Sequence, residues 1–456
     1  MADSSLTRRE LLGLAGTAAA AAVLPARLHA RSGSGASRGA DGVESAIRAA
    51  DWIRASRVAT PAGVAWPADP LQRDSVTRSL YTGTPGVVLF HLELHHATKD
   101  ARHLEEAVLG ARDLAASLPS ATDGSADAGL YTGVAGIAFA LAETARATGE
   151  RAHRDAAIRA TQWLIRHGRR SDRSVHWSES ADIISGGAGI ALYLLYAAKE
   201  LNVDGATDTA LAAARHLATL GVPERGGLKW RLSEGVTNLY PNFSHGTAGV
   251  AYALATVGGA TNEREMVDVA IAGATYLDAV ADRTDGCKVF HHEPGGEQLY
   301  YLSWCHGPAG TARLHHRLHL HTRDDAWRNH VACGAQATLA MGAPERRSDG
   351  YWNNISQCCG SAGVGEFFLA LHSVTRDPAH LAVARRAAQD VLSRATEDGT
   401  GLKWIQAEHR VRPELLVAQT GLMQGAAGVG LFLLRLDAAE NGRESFVRMP
   451  DTPFER

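Results

Sequence analysis

The chain has 456 residues, of which 45% are hydrophobic and 21% charged, with a net charge of −3, 47 glycines and five cysteines. The near-neutral balance excludes the strongly basic face of a dedicated nucleic-acid binder, and the apolar content excludes large-scale disorder. So few cysteines exclude a disulfide-framework scaffold, and past residue 30 no apolar run reaches the roughly 18–20 residues of a membrane span.

The first element is an address. Arg8-Arg9 precede an Ala-rich apolar stretch from Leu11 to Leu24, and Leu28-His29-Ala30 supplies a cleavage site. This is the layout of a twin-arginine export signal over residues 1–30. Residues 31–42, dominated by Gly, Ser and Ala, read as a flexible linker. The expectation is a mature protein, exported already folded, that works in the periplasm or outside the cell. No cysteine lies near the cleavage site, so a stable lipid anchor is not expected.

From Val43 onward one pattern repeats. Gly-x-x-Gly followed by an apolar run occurs seven times, with first glycines at Gly83, Gly133, Gly186, Gly246, Gly307, Gly360 and Gly425. The spacings are 50, 53, 60, 61, 53 and 65 residues. Between the copies, and before the first, lie segments with helical periodicity and one charged face: 43–56, 104–118, 154–166, 209–220, 265–280 and 379–392. A helix apolar on all sides must be buried, and an amphipathic one can cover it. The pattern therefore predicts an all-α fold, an α/α toroid with seven inner helices inside seven outer ones. Each unit needs its neighbours to bury its inner helix, so residues 43–440 form one domain, with 441–456 as a C-terminal tail. The glycines let seven backbones crowd together at one end of the barrel. Gly227-Leu228-Lys229-Trp230 is echoed as Gly401-Leu402-Lys403-Trp404, and Trp66, Trp177 and Trp352 precede their own copies similarly. These read as short hairpin segments whose tryptophans shape a rim.

Copies three to six carry unusual residues just before the first glycine. Copy five contains Cys305-His306-Gly307 and copy six Cys358-Cys359-Gly360. Three of the five cysteines thus fall on adjacent converging turns. Zn²⁺ takes thiolate ligands tetrahedrally, and a catalytic zinc keeps one position open. Cys305, Cys358 and Cys359 would supply three ligands and leave the fourth for a substrate. Buried free thiols and disulfides are the alternatives from spacing alone. Cys287 and Cys333 lie in a connection and an outer helix, without a comparable setting. His245, before Gly246, holds the turn position of His306 and Cys359, where an imidazole can serve as general acid or base. Asp182, four residues before Gly186, either orients His245 or caps the helix. Seven inner-helix N-termini facing one cavity concentrate partial positive charge there. His315 and His319, spaced i, i+4, form either a second metal pair or an ordinary helix face.

The seven Gly-x-x-Gly copies resemble the lanthionine synthetase C-like family. So do Asp-x-x-Ser-Gly at 182–186, Asn-Phe-x-His-Gly at 242–246, Ser-Trp-Cys-x-Gly at 303–307 and Cys-Cys-Gly at 358–360. The resemblance spans nearly the whole mature chain. It implies a double α/α toroid with a catalytic zinc at its mouth, and addition of a peptide cysteine thiol across dehydroalanine or dehydrobutyrine to form a thioether. By this resemblance Cys305 and Cys358 match the zinc cysteines, and Cys359 stands where most members carry a ligand His, giving a three-thiolate variant. Asp182 and His245 match the family's Asp and acid/base His. Two departures stand out: His306 where Tyr is usual, making it a second candidate for proton transfer, and Tyr301 where many cyclases carry Arg. The expected partner is a dehydrated peptide or a small thiol, with dehydration done elsewhere because the chain has no dehydratase region. The competing readings are a non-catalytic zinc-containing toroid that binds peptide or protein, and a carbohydrate-active α/α toroid relying on paired carboxylates.

Overall fold

The computed structural model of the protein describes residues 38–74, 76–232, 240–282 and 299–454. The export signal, linker residues 31–37 and Cys287 lie outside the described residues. Among these residues no helix is long and apolar enough to cross a membrane.

Seven helices form the inner ring: α2 (Thr84–Thr98), α4 (Val134–Thr148), α6 (Gly187–Leu201), α8 (Thr247–Thr261), α10 (Pro308–Thr322), α12 (Ser361–Thr375) and α14 (Ala426–Glu440). Each begins directly after the first glycine of its motif. The outer ring is α1 (Arg38–Ser56), α3 (Ala101–Ala116), α5 (Arg151–His167), α7 (Ala206–Thr219), α9 (Arg264–Val280), α11 (Asp325–Ala340) and α13 (Pro378–Ser393). Neighbouring inner helices touch all the way round, and α14 closes the circle by packing on both α2 and α1. The apolar sequences of the inner helices explain their place: Val87 to Phe90 and Leu431 to Leu434 are buried on every side.

Inner and outer helices are joined at the lower end by tight reversals. Lys99, Asn262, Arg323 and Arg376 adopt left-handed φ of 57–61° at the inner C-caps. The next residue is the N-cap of the outer helix, and Asp100, Asp324 and Asp377 there accept hydrogen bonds from Arg102 N, Ala326 N and Ala379 N. An αL stop followed by an acidic N-cap fixes an antiparallel pair with almost no loop.

At the upper end, outer helices return to the motif turns through short antiparallel hairpins. These are β1–β2 (Val58–Ala59, Val64–Ala65), β3–β4 (Arg169–Ser171, Ser174–His176), β5–β6 (Val222–Glu224, Gly227–Lys229) and the three-stranded β7–β8–β9 (Ala395–Asp398, Gly401–Ala407, Leu416–Ala418). The rim tryptophans have a shared task. The indole N–H of Trp177, Trp230 and Trp404 donates to Leu164 O, Leu217 O and Val391 O, each thirteen residues back near the end of the preceding outer helix. Each ring thereby adds a second donor to a carbonyl that already accepts a backbone N–H at the end of the helix, and ties the hairpin to its helix.

The seven turns are stitched into a closed circle of backbone hydrogen bonds. Tyr81 N donates to Tyr131 O, Tyr131 N to Ile184 O, Ile183 N to Ser244 O, and Ser244 N to Cys305 O. Cys305 N then donates to Cys358 O, Cys358 N to Met423 O, and Met423 N back to Tyr81 O, at 2.9–3.2 Å throughout. This circle sharpens the reason for the glycines. A Cβ at Gly246 would lie 1.9 Å from Tyr240 O, and one at Gly249 2.0 Å from Phe243 O and 2.7 Å from Ile183 Cγ1. The crowding is therefore first with the unit's own turn and then with the preceding unit.

Two boundaries differ from the sequence reading. Helix α1 starts at Arg38 rather than Val43, so the last residues of the expected linker are helical, with Gly42 buried against Leu433. The segment after α14 turns back into the barrel rather than trailing away. Glu93 accepts hydrogen bonds from Phe446 N and Val447 N, and Asp451 sits beneath the turns. There its carboxylate accepts from Tyr131 Oη at 3.1 Å and Trp304 Nε1 at 3.3 Å and pairs with Arg313 at 3.4 Å. A cavity of about 360 Å³ between this segment and the underside of the turns is lined by Arg313, Glu366, Arg435 and Asp451. Asp451→Ala would leave the largely buried Arg313 guanidinium, a phenol and an indole without their shared acceptor. A loss of about 3–5 kcal/mol in urea-induced unfolding is expected, against less than ~0.5 kcal/mol for an exposed control such as Glu444→Ala.

Candidate metal centre and proton-transfer pair

The turn circle dictates which side chains meet. The residue two before the first glycine supplies the stitching amide and carbonyl in most units, and Cys305 and Cys358 both stand there. Cys359 follows one residue later, its amide donating to Ser356 Oγ at 3.3 Å. Cys305 and Cys358 are held by consecutive stitches of the circle, so their sulfurs converge. Cys305 Sγ and Cys358 Sγ each lie 3.3 Å from Cys359 Sγ, and the three fall within 4.8 Å of one another. All three are buried free thiols. Among the described residues this is the only cluster of three or more potential metal ligands.

The donor set fits zinc. With Zn–S bonds of about 2.3 Å, tetrahedral ligand sulfurs stand about 3.8 Å apart, which the cysteines reach by small rotations about χ1. Burial, and then the two neighbouring sulfurs, push the Cys305 thiol well above its ordinary range. Burial therefore favours the neutral form of the Cys305 thiol, and a cation held among the sulfurs would favour the thiolate. The converging helix N-termini add partial positive charge of the sign that favours thiolates.

The next turn along the circle brings the second predicted constellation together. His245 Nδ1 donates to Asp182 Oδ2 at 2.5 Å. The other carboxylate oxygen, Asp182 Oδ1, accepts from the amides of Ser185 and Gly186 at 2.9 and 2.7 Å and from Ser180 Oγ at 3.2 Å. Of the two tasks between which the sequence left a choice, Asp182 performs the orienting one: one oxygen holds the imidazole, and the other braces the turn just before α6, whose N-cap is Gly186 and which receives no side-chain cap. Asp182 is buried, while the His245 side chain keeps 31% exposure, so its ring reaches the open mouth of the toroid.

His306 does not join that pair through Asp182. Its ring packs among those of Tyr301, Tyr240 and His245, at centroid distances of 5.2, 5.7 and 6.1 Å. Tyr301 accepts a hydrogen bond from Arg410 Nε at 3.2 Å, which brings a guanidinium from the β8–β9 connection to the residue standing where many cyclases carry Arg. Burial raises the Tyr301 phenol, with Arg410 opposing. His315 and His319 do not converge: the His315 ring stacks on Trp327 and His330, and His319 Nδ1 meets Asp324 O.

Two residues at the sulfurs escaped the sequence reading. Tyr81 Oη donates to Cys358 Sγ at 2.9 Å, and Gln424 Nε2 lies 3.8 Å from Cys359 Sγ. The signal was present, since both hold the positions, two and one before the first glycine, that carry the cysteines in copies five and six. They belong to copies one and seven, and copy one comes near copy six only once the circle closes.

Comparison with known proteins places this arrangement. The family model described as lanthionine synthetase C-like protein matches residues 74–449. No curated protein matches the chain by sequence. Among solved structures, nisin cyclase is similar with 17% identity and a TM-score of 0.58, over 81% of this chain and 90% of that one. The Lin0763 protein from Listeria innocua is similar with 13% identity and a TM-score of 0.50, over 88% and 97%. At these identities the likeness is one of fold.

Proposed function

The chain belongs to the lanthionine synthetase C-like protein family, and from that premise we propose that it is a zinc-dependent enzyme adding a thiol to a dehydroalanine or dehydrobutyrine acceptor to form a thioether. The observation that carries the proposal is the convergence of three buried thiols with an oriented His–Asp pair on consecutive turns of one circle. Cys305, Cys358 and Cys359 would hold the zinc, which when bound lowers the pKa of an incoming thiol so that it reacts as thiolate near neutral pH.

The chain's own residues handle the proton. Because Nδ1 of His245 is committed to Asp182, Nε2 is the nitrogen free to exchange a proton with substrate. In the addition a sulfur–carbon bond forms at the β-carbon and the alkene electron pair moves to the α-carbon as an enolate. The α-carbon then takes a proton. His245 Nε2 accepts the thiol proton and returns it there, so one group serves both steps and the atoms balance. Asp182 stabilises the imidazolium that exists between them. His306 lies one ring contact away and is the second candidate for the same transfer. Asp182 is engaged by His245 and by the Ser185 and Gly186 amides, unlike the paired carboxylates of carbohydrate-active toroids.

The acceptor in this proposal is a dehydrated peptide, and the thiol is either a cysteine of that peptide or a small molecule. Export by the twin-arginine route to the periplasm or beyond belongs to the same proposal. It is supported by Arg8-Arg9 with the apolar run behind them, and by the disulfide-bonded state of Cys333, a bond favoured in oxidising compartments. The test against a purely binding toroid is turnover. Zinc-loaded protein given a large excess of dehydroalanine peptide and thiol should yield thioether in many-fold excess over protein. Retention of peptide unchanged, with product never exceeding the uncatalysed background, would favour the binding role.

A further inference from the structure

The polar side chains that copies one and seven send to the sulfurs have no part in zinc ligation or proton transfer as described above. Their geometry is nonetheless tightly determined. Gln424 is buried, and its Oε1 accepts from Asn354 Nδ2 at 3.2 Å and Gln406 Nε2 at 3.4 Å. Asn354 is also buried, with Nδ2 donating to Ala407 O and Oδ1 accepting from Ser356 N and Ser356 Oγ. With its oxygen so occupied, Gln424 must turn Nε2 the other way. That nitrogen donates to Tyr81 Oη at 3.2 Å and points at Cys359 Sγ at 3.8 Å. The phenol, accepting from the amide, is left to donate, and it donates to Cys358 Sγ at 2.9 Å. A donor that itself accepts a hydrogen bond is polarised and donates more strongly. Edge-on packing of the Tyr81 ring against Tyr131, at 6.4 Å and 75°, holds the ring in place. The two donors are therefore unequal: Tyr81 gives Cys358 a short O–H···S bond, whereas the Gln424 amide stands at a longer distance from Cys359.

This inequality matters if the site is the zinc centre of the proposed function, on which the following rests. Three thiolates on a divalent ion leave a formal charge of −1, so each protein sulfur keeps much of its nucleophilicity. An electron-poor alkene brought to such a site can be attacked by a protein sulfur as well as by the incoming thiol. A hydrogen bond to a sulfur lone pair withdraws charge from it and weakens as that pair is given to carbon. We propose that Tyr81, oriented by Gln424, is a positioning residue that quiets the Cys358 sulfur, so that the substrate thiol and not Cys358 attacks the acceptor.

The test needs no substrate. Zinc-loaded protein is treated with iodoacetamide, each protein sulfur that reacts forming a sulfur–carbon bond and releasing iodide, and alkylation is followed cysteine by cysteine by mass spectrometry with zinc measured in the same samples. Tyr81→Phe keeps the ring packing and removes the donor. Cys358 alkylation should rise about three- to tenfold, the effect of losing one hydrogen bond to a charged group, with Cys305 unchanged. Gln424→Leu should raise it by a smaller factor, since it removes only the polarisation of the phenol. In cobalt-loaded Tyr81→Phe the sulfur-to-metal charge-transfer band should move to longer wavelength. An unchanged Cys358 rate or an unmoved band would overturn the proposal. A parallel rise at all three cysteines would also overturn it, by showing general loosening. Loss of zinc from Tyr81→Phe would assign the residue to metal retention instead. Failure of the parent protein to take up zinc would overturn the zinc reading itself, an outcome the metal measurement separates from the others.

Discussion

Replacing Cys305 or Cys358 by Ala is expected to lower bound zinc from about one per chain to near background. A site with three protein ligands and one open position has no spare ligand, and the neighbouring turns supply no fourth thiol: His245 is tied to Asp182 at 2.5 Å. Affinity should fall by more than the roughly 10–100-fold typical of losing an outer-shell partner. The fold itself should survive, because the hydrogen bonds that stitch Cys305 and Cys358 into the circle use their backbone N–H and C=O groups. Metal analysis of gel-filtered protein, with far-UV circular dichroism as the folding control, checks both halves. A second consequence is linked stability. Metal that binds only the folded chain adds about 2.7 kcal/mol when free zinc is 100 times the dissociation constant, so a chelator should lower the melting temperature of the parent and leave the variants unmoved. Full zinc content in the double substitution Cys305→Ala, Cys358→Ala would show that the metal, if any, is held elsewhere.

The second large effect is on rate. His245→Asn should leave zinc in place and reduce thioether formation by about 10²–10⁴-fold, the usual contribution of a positioned acid/base group. Asn can still meet Asp182 but cannot carry the proton from the thiol to the α-carbon. Asp182→Asn should reduce the rate as well, since it removes the carboxylate that holds the tautomer and stabilises the imidazolium. It should also cost some stability, because Asp182 Oδ1 accepts from the amides of Ser185 and Gly186 in the turn before α6, and hydrogen bonds to an ionised carboxylate are stronger than those to a neutral amide oxygen. Comparing turnover with urea unfolding for the two variants therefore separates the two oxygens' tasks. If His245→Asn turns over at the parent rate, the proton transfer passes to His306, whose ring lies 6.1 Å away.

The parts of this molecule that repeat were legible in the sequence, and the parts that depend on closure were not. Seven Gly-x-x-Gly motifs, each opening an apolar run, were enough to infer inner and outer helices, because a helix without a polar face has only one place to go. The metal cluster was legible for the same reason: Cys305 and Cys358 stand at the same position of adjacent copies, and adjacent copies must be neighbours. Tyr81 and Gln424 stand in that register too. Gln424 is on the copy next to six, but the approach of Tyr81 to Cys358 requires unit one to lie beside unit seven, a consequence of ring closure that no local pattern records. Asp182 could not be resolved between capping and orienting, because a carboxylate four residues before the glycine suits either task and only the approach of His245, 63 residues away, decides for orienting. The tail was misread for a different reason. Residues 441–454 lack helical periodicity, so nothing local reveals that Val447, Asp451 and Phe454 are buried. Asp451 earns its place only through Tyr131, Trp304 and Arg313, residues 138 to 320 positions away.

The central claim is that one zinc held by three thiolates, served by His245, makes this toroid a thioether-forming enzyme. Its most direct test follows bound zinc and thioether formation together, by metal analysis and mass spectrometry, in one preparation of mature protein supplied with a dehydroalanine-containing peptide and a thiol. The sample is chelated in steps and then given zinc back. The account predicts that product formation falls in proportion to the zinc removed and returns in proportion to the zinc restored, with His245→Asn showing the same zinc curve and almost no product. Zinc bound stoichiometrically by the three cysteines, with product formation no faster than in its absence, would contradict it.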